Sequence, residues 1–207
     1  MGPDGLARTP WGAHDPLLQE YYDTEWGALP TGIARGGPGN TSRETEDVYF
    51  ERLALEGFQA GLSWLTILRK RPRFREVFAD FSVDAVATFT ESDVERLLTD
   101  PGIIRHRGKI EATVRNALAT RRLREEVDGG LPAFIESHAP TATPEPRVMA
   151  EVPTTSAESL ALSKALKKKG LSFVGPTTCY ALFEALGIVD THLLGSHRRG
   201  ASGRWER

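Results

Sequence analysis

Apolar residues recur along this chain at helical spacing, and alternating β-branched runs bounded by turns are nearly absent. That pattern predicts an all-α fold. Val48, Leu53 and Leu55 mark a helix over 45–57, and a second is expected over 62–78, broken or kinked near Pro72. Thr90 with Asp93 makes a capping box that opens a short helix through Leu98. The longest candidate spans 108–126, with Ile110, Val114, Leu118 and Leu123 at helical spacing. Thr155 and Glu158 start a further helix that stops at Gly170, and 176–186 forms another that ends at Gly187. Two stretches read as loops. Residues 28–43 are rich in glycine and are expected to be a flexible insertion, whereas 139–153 hold four prolines and read as an extended connection. The segment 198–207 reads as a short basic tail that frays.

A length of 207 residues suits one domain with a real core. No apolar run reaches the roughly 18 residues that a membrane span needs. The start, Met1-Gly2-Pro3-Asp4-Gly5, lacks the basic and then apolar pattern of a secretory signal. The single cysteine, Cys179, excludes an internal disulfide and a four-cysteine zinc knuckle, and on its apolar helix it reads as a small buried hydrophobe. The chain is therefore expected to be a cytoplasmic monomer with no membrane contact.

Charge is informative in its distribution. The net charge is −2, yet residues 1–60 carry ten acidic and four basic side chains, so the remainder is net +4. Basic clusters recur there: Arg69, Lys70, Arg71, Arg73 and Arg75; Arg105, Arg107 and Lys109; Lys164, Lys167, Lys168 and Lys169. Taken singly, each reads first as a solvated helix face. Taken together, they suit a polyanion.

The third cluster opens a particular segment, Lys167-Lys168-Lys169-Gly170-Leu171-Ser172-Phe173-Val174-Gly175-Pro176-Thr177. A helix ends at one glycine, apolar residues turn inward, and a second glycine precedes a proline at a first helical position. Glycine admits a phosphate close to backbone, and the next helix offers free N–H groups to it. A ligand-free αα-hairpin is the equal alternative on this segment alone.

Three of the four tryptophans, Trp11, Trp26 and Trp64, fall in the first third of the chain with Tyr21 and Tyr22. Among them Glu56 stands in the apolar string Leu55-Glu56-Gly57-Phe58-Gln59-Ala60-Gly61-Leu62-Ser63-Trp64. Aromatic core and a hydrated helix-end carboxylate is the commoner reading of such residues. A carboxylate inside an aromatic wall is also the equipment for holding a flat ring by its faces and its polar edge.

Those residues, with Asp15-Pro16-Leu17, Tyr21-Tyr22-Asp23-Thr24-Glu25-Trp26-Gly27 and Pro101-Gly102-Ile103-Ile104-Arg105-His106-Arg107-Gly108-Lys109-Ile110, resemble the DNA-3-methyladenine glycosylase I family of helix-hairpin-helix repair enzymes. The resemblance covers residues 8–197 outside 28–43. It implies one glycosylase domain of two helical lobes with the pocket between them, acting on double-stranded DNA that contains an alkylated purine. By that resemblance Trp64 and Tyr21 stack on a flipped base, Trp11 walls the pocket, Trp26 supports it, and an ionised Glu56 binds the base edge and serves as the catalytic carboxylate. Leu62 would fill the gap left in the duplex, while Lys167, Lys168, Gly170, Gly175 and Thr177 hold its backbone. Related lyases carry a lysine where Thr177 stands, so a monofunctional hydrolase without Schiff base or cofactor is implied. Asp190 lies near a position where relatives use an aspartate, and a helix-start cap is its expected role.

The family's zinc ligands are largely replaced. Two cysteine positions are occupied by Thr9 and Ser196 and one histidine position by Tyr22, leaving His192 alone. One imidazole is not a zinc site, so no metal is expected and His192 reads as a packed residue. A non-catalytic DNA-damage-binding module is the alternative from another class. A glycosylase for a different, bulkier alkylpurine is another, because Leu18 is smaller than the tyrosine frequent there in the family.

Overall fold

The computed structural model describes residues 2, 4–39 and 41–206, and among these it contains nine α-helices and no strand. Helix α1 (Pro16–Thr24) is opened by Asp15, whose side chain accepts the Leu17 amide, with proline in the first turn. Helix α2 (Arg43–Gln59) is capped by Ser42 on the Thr45 amide and is buried along nearly its whole length. A helix enclosed on all sides is the core of its fold. Helix α3 (Trp64–Val77) is capped by Ser63 and runs through Pro72 without the expected break. Then come α4 (Val83–Val86), α5 (Glu91–Thr99), α6 (Arg107–Glu126), α7 (Gly130–Glu136), α8 (Ala157–Lys168) and α9 (Pro176–Ala185). The Thr90–Asp93 box opens α5 as expected. Helix α8 is capped one residue later than expected: Ser156, in extended backbone, accepts the Ser159 amide at 3.1 Å, and Ser159 returns a bond to the Ser156 amide.

Helix α2 packs against α3, α6, α7 and α9, and α8 packs against α9. Phe58, Phe74, Phe78 and Phe81 form a chain of ring contacts through this core, at centroid spacings of 4.6, 6.0 and 5.5 Å. Cys179 is fully buried, and burial pushes its thiol up to about 12.

Of the insertion expected to be flexible, residues 28–39, 41 and 42 are irregular and lie against the body. Arg35 donates to the Leu186 and Gly187 carbonyls at 3.2 and 3.3 Å and pairs with Glu136, while Gly36 rests on Pro132. The C-terminal segment, expected to fray, is packed. Buried Arg199 donates to the carbonyls of Asp190, His192 and Pro144 at 2.9, 3.0 and 2.8 Å, and the Trp205 indole N–H reaches the Ile188 carbonyl at 3.2 Å. Loop carbonyls turned inward need donors, and this segment supplies them.

Most of the first two basic clusters is engaged within the protein. Arg71 and Arg75 both bind Glu51, Arg73 binds Asp100 and Glu76, and Arg69 binds Asp15. Arg107 pairs with Glu91 and Glu95. Lys109 is buried and caps a helix end. Lys70 donates to the Pro101 carbonyl, so all of these residues but Arg105 have carboxylate or carbonyl partners among the described residues, which composition alone does not reveal. Lys167 and Lys168 are exposed and pair with no carboxylate among the described residues, whereas Lys169 binds Glu126.

Candidate active site

The turn between α2 and α3 presents Leu62. Gly61 supplies φ +82°, and the Leu62 side chain is 40% exposed at the tip. The buried ammonium of Lys109 supports the turn, donating to the Phe58 carbonyl at 2.8 Å and the Ala60 carbonyl at 2.6 Å. A cation on the last carbonyls of a helix satisfies both their lone pairs and the helix dipole.

The hairpin between α8 and α9 has the expected construction. Gly170 takes φ +89°, the Leu171 amide closes back on the Leu166 carbonyl at 3.1 Å, and Leu171 and Val174 are buried. Gly175 caps α9, with Pro176 at its first position. Asn116 of α6 clips the hairpin, donating to the Ser172 carbonyl at 3.0 Å and accepting the Ser172 amide at 2.9 Å. Thr177, exposed at the start of α9, borders both this hairpin and a cavity.

That cavity is about 570 Å³ and is lined from α1, α2, α3, α9 and residues 149–154. It brings together Trp11, Tyr21, Glu56 and Trp64, all named from sequence. Leu62, Lys167 and Lys168 lie outside it, on the exposed surface. Trp11 meets Trp26 edge-on at 5.0 Å, and Trp26 stacks on Tyr22 at 5.6 Å while also bordering the cavity. Tyr21 and Trp64 are tilted by 45° at 5.3 Å. These two rings touch each other, so a purine inserted between them requires separation to about 7 Å, two van der Waals contacts. Leu18 is in the lining too.

Glu56 is buried, and none of its neighbours hydrogen-bonds to its carboxyl among the described residues. Burial, then the nearby Glu184, push its proton affinity up to about 8 against the pull of Arg52. Burial thus favours the neutral form of this carboxyl in the protein alone. Sequence reasoning missed Glu184. It lines the same cavity from α9, accepts the Thr191 hydroxyl at 2.6 Å, and is pushed up to about 7 by burial. Its one signal was a lone carboxylate in the apolar run 179–189. The Trp64 indole N–H and the Tyr180 hydroxyl, both from cavity-lining residues, are buried without partners.

The four positions aligned with family zinc ligands converge on one cluster of hydroxyls and rings. The Tyr22 hydroxyl lies 2.9 Å from the Thr9 hydroxyl and 2.7 Å from that of Ser196, and the His192 ring packs edge-on to Tyr22 at 5.3 Å. Three neutral hydroxyls and one imidazole do not suit zinc, which binds thiolate, imidazole and carboxylate. His192 is packed, with Nδ1 on Asp190 at 2.7 Å. Asp190 is not a helix cap: it follows α9 and accepts the His192 and Gly200 amides, tying the C-terminal segment down.

Residues 11–199 match the sequence profile of the family described as Methyladenine glycosylase. DNA-3-methyladenine glycosylase 1 of Escherichia coli (strain K12) is 42% identical over 193 residues, 92% of this chain and 95% of that protein. A crystal structure of 3-methyladenine DNA glycosylase I (TAG) superposes with TM-score 0.81 at 39% identity, covering 93% of this chain and all 100% of the other. The Staphylococcus aureus enzyme, solved for the structural basis of 3-methyladenine recognition, superposes with TM-score 0.79 at 33% identity over 94% of this chain and 97% of its own. Profile, sequence and backbone agree, and the chain belongs to the methyladenine glycosylase family.

Proposed function

We propose that this protein is a monofunctional DNA glycosylase that hydrolyses the N-glycosidic bond of 3-methyladenine in alkylated duplex DNA, the first step of base-excision repair. The observation that carries it is a cavity walled by Trp11, Tyr21 and Trp64 around a carboxyl, Glu56, that no protein group satisfies, opening beside an exposed lysine hairpin. A flipped base costs a few kcal/mol to extrude, and Leu62 at the exposed turn fills the gap it leaves. Lys167, Lys168 and the glycine-bounded hairpin hold the backbone.

3-Methyladenine in DNA is cationic. Aromatic faces favour a cation over neutral adenine by about 0.5–2 kcal/mol per well-placed ring. The same charge draws the proton from Glu56, so the carboxylate forms when the substrate arrives. Cleavage of the bond from C1′ to N9 leaves the electron pair on the base, which departs neutral. The positive charge passes to the sugar, where ionised Glu56 stabilises it. Water adds to C1′ and loses a proton, and a carboxylate whose burial favours protonation takes it up. No lysine lines the cavity among the described residues, in keeping with hydrolysis rather than a Schiff base.

The test is release of free bases from methylated DNA, quantified by chromatography. The intact protein should release 3-methyladenine, with Glu56→Gln and Trp64→Ala each at least about tenfold slower. Duplex binding without base release would show a binding module instead. Leu18 in the lining favours a second reading, a bulkier alkylpurine, which the same chromatogram would reveal.

A further inference from the structure

We propose that Glu184 is a second acidic residue of the base pocket and determines its specificity, acting with Glu56 to select a positively charged purine over a neutral one. The inference rests on the glycosylase reading above and assigns a role to a residue that reading does not need.

Glu56 and Glu184 are the only charged side chains among the described residues that line the cavity; the rest of its wall is aromatic, aliphatic or neutral polar. They come from α2 and α9, which pack directly against each other. Two carboxyls facing one cavity, with no cation in its described wall, leave positive charge to be supplied by the ligand. Glu184 is built into this place. The Thr191 hydroxyl, itself bordering the cavity, fixes one of its oxygens at 2.6 Å. One turn earlier on α9, Tyr180 carries a buried hydroxyl with no partner among the described residues.

The surrounding charges do not neutralise the pair. On α2, Arg52 is buried below Glu56, but its guanidinium donates to the Ala185 carbonyl at the end of α9. From α1, the Tyr21 phenol is held neutral by burial. On α8, Glu158 adds further negative charge near Tyr180. Beyond α9, His192 is tied to Asp190, and burial keeps its proton affinity low. Burial raises the proton affinity of both pocket carboxyls, and Glu184 raises that of Glu56 further. A neutral purine therefore meets a pair that still holds much of its protons, whereas a cationic purine draws protons from the pair and meets more carboxylate charge. Selection thus comes from the ligand's own charge.

The experiment is calorimetric binding of two probes, 3,9-dimethyladeninium, a fixed cation, and 9-methyladenine, its neutral counterpart. It uses the intact protein, Glu184→Gln and Glu184→Asp, in two buffers of different protonation enthalpy near pH 7. Glu184→Gln keeps the size and the Thr191 bond. It should weaken the cation about tenfold, the effect of one screened charge, and the neutral probe less than about twofold. Protons released on cation binding should fall with it. Glu184→Asp, which keeps the charge, should stay within about threefold of the intact protein for both probes. Equal weakening of both probes by Glu184→Gln, no weakening of either, or Glu184→Asp behaving like Glu184→Gln would each overturn the proposal. Absence of any preference for the cation in the intact protein would also overturn it. Base release from methylated DNA is scored separately, so a protein that selects the cation but releases no base would refute the glycosylase reading and leave the acidic pair standing.

Discussion

Glu56 should weaken the fold that holds it. An ordinary glutamate titrates at 4.5, and in the folded protein this one is pushed up to about 8, first by burial and then by Glu184. Well below pH 4.5 the group is neutral in both the folded and unfolded states and contributes nothing. As the pH rises through that value the unfolded chain sheds its proton while the folded chain keeps it. Stability therefore falls by about 1.4 kcal/mol per pH unit. The fall ends near pH 8, where the folded state ionises too. By neutral pH the accumulated loss is on the order of 3 kcal/mol, equivalent in a chain of this size to about 6–12 °C in Tm. Glu56→Gln removes the titration. Thermal unfolding of both proteins, followed by circular dichroism from about pH 5 to about pH 8, should show nearly equal Tm values at the acid end. The variant should then become the more stable by several degrees as the pH rises, although its base release is slower. A Tm difference that stays constant across the range, or that grows in favour of the intact protein, would refute the reasoning.

Tyr22→Phe deletes the oxygen shared by Thr9 and Ser196. It should cost about 1–3 kcal/mol, read as a Tm several degrees lower, while EDTA leaves the Tm of the intact protein unchanged. Asn116→Ala frees Ser172 at both its amide and its carbonyl. Duplex affinity measured by fluorescence anisotropy should fall severalfold, with binding of free 3-methyladenine unaltered. Exchanging Lys167 and Lys168 together for alanine should flatten the dependence of log affinity on log salt by about 2, one per phosphate contact; an unchanged slope would place the DNA backbone elsewhere.

Much of this architecture was legible in the sequence because the signals are local. Helical periodicity, the Thr90–Asp93 box and the paired glycines of the hairpin each depend on residues within a few positions of one another. The aromatic pocket was legible because Trp11, Tyr21, Glu56 and Trp64 stand in distinctive strings. What stayed hidden depends on partners far along the chain. Lys109 reads as one more basic residue until it is seen capping carbonyls about fifty positions away, at Phe58 and Ala60. The arginines of α3 read as a polyanion surface until Glu51 and Asp100 are placed beside them. Glu184 reads as an ordinary helix carboxylate until α9 is laid against α2. The charge state of Glu56 follows from the same packing, since desolvation is a property of the assembled wall and not of a string.

The hydroxyl contact between Tyr22 and Ser196 joins positions 174 residues apart, and Tyr21 beside it forms part of the pocket wall. His197 adds a second stitch to the Ala7 carbonyl at 2.9 Å. During synthesis the aromatic half of the site leaves the ribosome long before the residues that fasten it. A nascent or prematurely terminated product can therefore form most of its helices yet leave that wall unlatched. A half-made protein of this kind has no rigid receptacle in which to trap a base, and the seam makes competence for base release one of the last properties the growing polypeptide acquires.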